Sequence, residues 1–164
     1  MNNVAYVIRM LAAAAGVCTL MSTPVLAADA MADPTFISAR DIKWGDAPPA
    51  LPKGAKFAVL YGDPTKAGPY VIRLMLPVGY KIAPHFHSLP ENLTVISGTF
   101  YFATGDKFDK AHAHAMKEGA FHYLPAMAHH SAQAGSKTIV QVHGQGPFDI
   151  TYVNPADDPQ KAKK

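Results

Sequence analysis

The sequence predicts an all-β domain, a sandwich or barrel built from short strands. Three observations predict it. Apolar residues alternate between two faces over short runs, glycine or proline interrupts the chain about every ten residues, and no stretch sustains a helical period over three turns. Closing such a sheet on itself removes the unpaired edges that would otherwise recruit other chains.

Residues 1–27 read as a secretory signal. They carry no acidic side chain and one basic one, Arg9, followed by an apolar run over 10–20 and the small-residue site Val25-Leu26-Ala27. The apolar core is shorter than the ~20 residues that span a bilayer, and Pro24 interrupts it. Cleavage after Ala27 is expected, giving a periplasmic or secreted protein with no membrane attachment. Removing 27 of the 164 residues leaves 137, and these lack cysteine because Cys18 lies within the signal. An exported chain of this size without disulfides must be held by a single core that buries roughly two thirds of its unfolded surface. Of the 15 basic residues Arg9 leaves with the signal, so 14 face 12 acidic ones. They are scattered except for Lys161, Lys163 and Lys164 at the end, which argues against nucleic acid or an anionic membrane as partner.

Residues 28–50 are expected to form a lead-in with an edge strand over 36–44, where Ile42 and Trp44 share a face. That strand is a candidate for exchange between copies in a homodimer. The proline-rich segment 47–52 cannot be helical and reads as an extended connector. A domain over 51–153 then follows. Its strands are expected at 56–61, 70–76, 93–96, 99–103, 121–124, 137–143 and 148–153. In the second of these Tyr70, Ile72, Leu74 and Leu76 share one face, with Val71, Arg73 and Met75 on the other; in the fourth Phe100 and Phe102 share a face. Residues 107–116 fit neither helix nor strand, and 154–164 read as a polar tail.

The chemistry concentrates after the second strand, in Gly79-Tyr80-Lys81-Ile82-Ala83-Pro84-His85-Phe86-His87-Ser88-Leu89-Pro90-Glu91. In an extended chain residues i and i+2 point the same way about 6–7 Å apart, so the His85 and His87 rings can converge on one point. A divalent ion with nitrogen and oxygen ligands at about 2.0–2.2 Å accepts both imidazoles together with the Glu91 carboxylate. His112 and His114 also alternate, but no third ligand stands at a recognisable spacing, so they read as a solvated loop; His122 has no assigned role. The sequence after the signal carries no cysteine nucleophile, no nucleophile-elbow serine and no glycine-rich phosphate loop opening a helix.

The spacing of Gly79, His85, His87, Glu91 and Gly98 resembles the first conserved motif of the cupin superfamily at every fixed position. Gly119, Pro125 and His130 stand at the spacings of the second motif, with Met127 in place of its second glycine and Ala134 in place of its asparagine. Small exported single-domain cupins also carry stretches similar to 105–109, 143–148 and 152–155. The resemblance covers roughly 51–153 and implies a double-stranded β-helix, the jelly-roll or cupin barrel, with a metal inside. His85, His87, Glu91 and His130 become the metal ligands, with His129 as the rival of His130. The implied cofactor is one divalent ion, Fe(II) or Mn(II) first, Zn(II) or Ni(II) as alternatives. Two adjacent coordination positions stay open for water, dioxygen or a bidentate substrate. Gln141 and His143, on one face of a strand, are candidates to contact the substrate or the metal ligands. The function implied is a metal-dependent oxygenase, isomerase or hydrolase acting on a small organic molecule. The alternative is a non-catalytic metal- or ligand-binding, sensing module.

Overall fold

The computed structural model describes residues 34–161; the expected signal peptide and the last lysines of the tail lie outside them. Among the described residues there are eleven strands and two short 3-10 turns. The strands are β1 (Gly45–Asp46), β2 (Lys56–Tyr61), β3 (Gly68–Leu76), β4 (Lys81–Phe86), β5 (Glu91–Ser97), β6 (Thr99–Thr104), β7 (His114–Lys117), β8 (Phe121–Leu124), β9 (His130–Ala134), β10 (Thr138–Gly146) and β11 (Thr151–Tyr152). They pair antiparallel in two sheets, ordered β1-β2-β3-β10-β5-β8 and β11-β4-β9-β6-β7. From β3 onward the chain changes sheet at every connection except the step from β6 to β7, so residues far apart in sequence face one interior.

Alternation in β3 carries directly into burial. Tyr70, Ile72, Leu74 and Leu76 point into the core, while Val71, Arg73 and Met75 are half-buried on the other face. Val140 and Val142 continue that inner layer on β10, and Phe100 and Phe102 oppose it from β6. Removing this apolar surface from water, at roughly 25 cal/mol per Å2, is the main term holding the two sheets together.

The expected closed barrel is not present as such: the described strands form a six-stranded and a five-stranded sheet, facing each other across side chains rather than joined by main-chain pairing. Short strands protect their edges instead. The outermost strands β1 and β11 have two residues each, β7 and β8 four. The strand expected over 36–44 is also absent. A 3-10 turn occupies Ala39–Asp41, and pairing begins only at Gly45, opposite Phe57. The alternation there is real, with Ile42 and Trp44 half-buried around an exposed Lys43, but among the described residues no strand pairs with it. Conversely, β9 was not expected, because His130-Ser131-Ala132-Gln133-Ala134 carries no apolar alternation. Four of its five residues are nonetheless buried, since it lies between β4 and β6 in mid-sheet.

Two local devices position the site. Gly98 joins β5 to β6 at φ 88°, and a Cβ there would meet the Lys137 carbonyl oxygen at 2.5 Å, so only glycine fits the turn. In β4 the pairing with β9 slips between Ile82 and His85: three steps on β4 span the two steps from Ala132 to His130. The extra residue is a bulge, placed at Ala83-Pro84, where proline has no N–H to contribute to the ladder. It reverses the inward phase of the strand, so that Ile82 and His85 both face the interior.

Candidate metal centre

His85 lies on β4 directly opposite His130, the first residue of β9, and His87 follows one residue beyond the end of β4. One ring nitrogen from each of the three lies within 4.8 Å of the others. All three residues are at most 5% exposed, which keeps water from competing for those nitrogens. Their outer nitrogens are spoken for. His85 Nδ1 donates to the Ala83 carbonyl (2.7 Å), His130 Nδ1 to the Ala128 carbonyl (2.9 Å), and His87 Nδ1 to the Asp149 carbonyl. A carbonyl only accepts, so each Nδ1 carries a proton and Nε2 is the nitrogen each ring turns to the shared centre.

The protonation energetics agree with this tautomer. Burial, reinforced by the His130 and His87 rings, pushes His85 down to about 3, and burial likewise lowers His130. His87 Nε2 is buried with no hydrogen-bond partner, an orphaned acceptor that a cation would satisfy. Aromatic packing holds the rings in place: Phe148 stacks on His87 at 4.9 Å and Phe102 on His130 at 5.5 Å between centroids. Three buried, converging, preoriented imidazoles fit a divalent metal ion.

Glu91 opens β5 beside this cluster. Its carboxylate oxygens lie 3.8 Å from His87 Nε2 and 3.7 Å from His130 Nε2, and the residue is buried. Burial alone would push the carboxyl up. A hydrogen bond from His122 and the neighbouring His87 and His130 rings outweigh that and hold it down at about 2, so the group is a carboxylate. The His122 contact is Nε2–H to Glu91 Oε2 at 3.3 Å, made from β8, where His122 pairs with Leu93 of β5. Sequence reasoning missed this residue, because in β8 it is Phe121 and Tyr123 that face outward and are exposed, while His122 shares the inward face with Leu124.

Other candidates are placed differently. Gln141 and His143 lie on the outer face of the six-stranded sheet, because the inward positions of β10 belong to Val140 and Val142. Gln141 there accepts a hydrogen bond from Arg73 Nε at 3.0 Å, so neither residue contacts the centre. Between the two adjacent histidines, His130 joins the cluster, and His129 turns outward to bond Asp106 and stack on Phe86. His112 and His114 are exposed, with His112 bonded to Asp109 at 2.7 Å.

Met127 adopts φ 64°, the left-handed conformation in which the second motif carries glycine, and its N–H donates to the His87 carbonyl at 2.9 Å. Ala134, in place of the motif's asparagine, is core, and its backbone bonds to Tyr80 and Gly79.

Above the imidazoles lies a cavity of about 170 Å3. It is walled by apolar residues from both sheets and by the proline-rich connector, of which Pro48, Ala50 and Leu51 are part of the lining. Tyr152 and Tyr80 fasten that connector through hydrogen bonds to the carbonyls of Ala50 and Pro52. Of the lining residues, Pro48 and Thr65 are exposed.

The family described as Domain of unknown function (DUF4437) matches residues 28–151. The chain belongs to this family. No curated protein matches its sequence. Among solved structures, this member of the family is similar to a candidate acetylacetone dioxygenase from Methylibium petroleiphilum PM1, with 19% identity, TM-score 0.60 and coverage of 78% of this chain and 86% of that one. It is also similar to the polyketide cyclase RemF from Streptomyces resistomycificus, with 15% identity, TM-score 0.60 and coverage of 79% and 92%. An RmlC-like cupin from Shewanella frigidimarina NCIMB 400 matches with 13% identity, TM-score 0.54 and coverage of 69% and 91%. At these identities the likeness establishes a cupin fold.

Proposed function

We propose that the chain is a metal-dependent cupin enzyme acting on a small organic molecule, with the ion held by His85, His87 and His130 and by Glu91 as a fourth ligand. The single observation that carries this reading is the convergence of three buried imidazoles, each with its proton committed to a backbone carbonyl. Nitrogen and oxygen donors of this kind suit Fe(II) or Mn(II), with Zn(II) and Ni(II) as alternatives. When bound, the ion supplies Lewis acidity and a coordination sphere that four protein donors leave partly open to a ligand. The chain's own residues orient the donors, exclude bulk water and shape the cavity. In support of an organic substrate, two of the similar folds are named for acetylacetone and polyketide chemistry.

Elemental analysis of protein purified from its native compartment tests the centre, and about one ion per chain is expected. Oxygen uptake by the Fe(II)-loaded protein, measured against a panel of chelating phenols and keto acids, tests the activity. A full complement of metal with no turnover of any panel member would favour a ligand-capturing module.

The basic start, apolar run and Ala27 site support export and removal of residues 1–27. Sequencing the mature N-terminus checks this: Ala28 is expected, and a retained Met1 would overturn it.

A further inference from the structure

We infer that the cavity takes a small neutral molecule bearing two oxygen donors at one end and an apolar remainder, and that it rejects dianions of the same size. The inference rests on the metal-centre reading and adds the class of ligand.

It follows from three properties of the wall. The first is its chemistry. Away from the imidazoles the lining is hydrocarbon from both sheets, notably Leu74, Leu93, Val140 and Val142 facing Phe100 and Phe102. The second is its charge. Among the described residues that line the cavity the charged side chains are Glu91 and Asp149, both acidic, and no lysine or arginine is present. Arg73 belongs to the same sheet but points outward to Gln141. A second carboxylate or a phosphate on the ligand would therefore enter hydrocarbon without a counter-charge to offset its lost hydration. A divalent ion beside the Glu91 carboxylate leaves one net positive charge at the inner pole, and Asp149, whose carboxylate bonds the exposed Ser88 N–H, adds negative charge farther out. A monoanionic chelate, formed when a neutral ligand loses one proton to the solvent, is the most negative occupant this balance accommodates.

The third property is size. A cavity of about 170 Å3 is close to the ~150 Å3 apolar cavity that binds benzene, so it holds about six to eight non-hydrogen atoms. A small 1,3-dicarbonyl has this size, this polarity and a single acidic proton to give up at the chelating end; a vicinal diphenol has the same size and meets the same limit when it gives up one of its two phenolic protons.

The decisive comparison is between 2,4-pentanedione and malonate, which are equal in size and in the spacing of their chelating oxygens but differ by a methyl against an anionic oxygen at each end. Each is titrated calorimetrically into the full mature chain, both metal-free and Mn(II)-loaded, and each affinity is normalised to that for free Mn(II) in the same buffer. The diketone is expected to bind the loaded chain at least tenfold more tightly than malonate after normalisation. Malonate binding equally or more tightly would overturn the inference, whatever the metal content. Metal content is read separately by elemental analysis, so a chain that binds no metal yet still prefers the diketone would overturn the metal reading alone. Dibenzoylmethane, with the same chelating end and two added rings, is expected to be refused; binding as tight as that of 2,4-pentanedione would overturn the size limit. Asp149→Asn keeps an oxygen acceptor for the Ser88 N–H, which Asp149 Oδ1 now accepts at 2.9 Å, and removes the charge. It is expected to raise malonate affinity several-fold; an unchanged or lower malonate affinity would overturn the electrostatic basis of the selection.

Discussion

Two groups of histidine in this chain differ in what their Nδ1 atoms meet. In His85, His87 and His130 it meets a backbone carbonyl in a dry interior, whereas in His112 and His129 it meets an aspartate nearer the solvent. Carbonyl and carboxylate both only accept, so either holds the neutral ring's proton on Nδ1. What differs is the setting of the opposite nitrogen, which in the first group converges on a shared buried centre and in the second does not. The residue type is the same, and its place in the fold decides whether it becomes a ligand or a surface contact.

The comparison breaks most sharply on metal content. Alanine at His85, His87, Glu91 or His130 is expected to lower affinity by three orders of magnitude or more, on the order of 4 kcal/mol, while His112→Ala and His129→Ala retain about one ion per chain. Elemental analysis after exhaustive dialysis checks both halves, and equal occupancy across the two groups would end the distinction.

Acid should separate them next. A buried histidine held neutral contributes stability that is fully present above its unfolded value near 6.5 and is lost as pH falls towards its folded value, because below 6.5 the unfolded chain takes up the proton first. For His85 that window runs from 6.5 to about 3, and His130 shifts in the same direction. Glu91, lowered from 4.5 to about 2, adds a loss across that lower range. Urea unfolding of the metal-free protein is expected to lose on the order of 3 kcal/mol between pH 7 and pH 4. Metal release should accompany unfolding in this range; release near pH 6.5 from an intact fold would show that burial does not protect these rings.

A smaller effect is expected at His122. Removing its hydrogen bond in His122→Ala should let the Glu91 carboxyl rise and weaken metal binding roughly tenfold, with partial recovery in His122→Asn. Chelator competition measures this, and identical affinities in both variants and the parent would remove His122 from the centre. Smallest of all, Met127→Gly relieves a left-handed backbone and is expected to stabilise the fold by about 0.5–1 kcal/mol at unchanged metal content. Thermal unfolding decides its sign.

Several of these residues were legible in the chain before its fold was known, and the division has a physical cause. Period-two alternation is a property of neighbouring residues, so Tyr70 to Leu76 could be assigned two faces, and the spacing from His85 to Glu91 could be read as a ligand set. Which face turns inward depends on pairing with strands distant in sequence, and a shift of one residue exchanges the faces completely. On that account Gln141 and His143 alternated as expected yet lie outside, with Val140 and Val142 holding the core. The same dependence hid β9, whose polar composition becomes buried only between two neighbours, and His122, whose use rests on Glu91 across a strand pair.

By itself, then, the sequence determined the strand-forming alternation, the breaks between runs and the types and spacing of the metal-binding side chains, all of which follow from local covalent geometry. The tertiary structure alone decided that a bulge at Ala83-Pro84 turns His85 inward, that His130 rather than His129 completes the cluster, and that two sheets meet without closing. Those outcomes depend on long-range register and on which buried carbonyls lie within reach of each ring, and neither is written in the order of neighbouring residues.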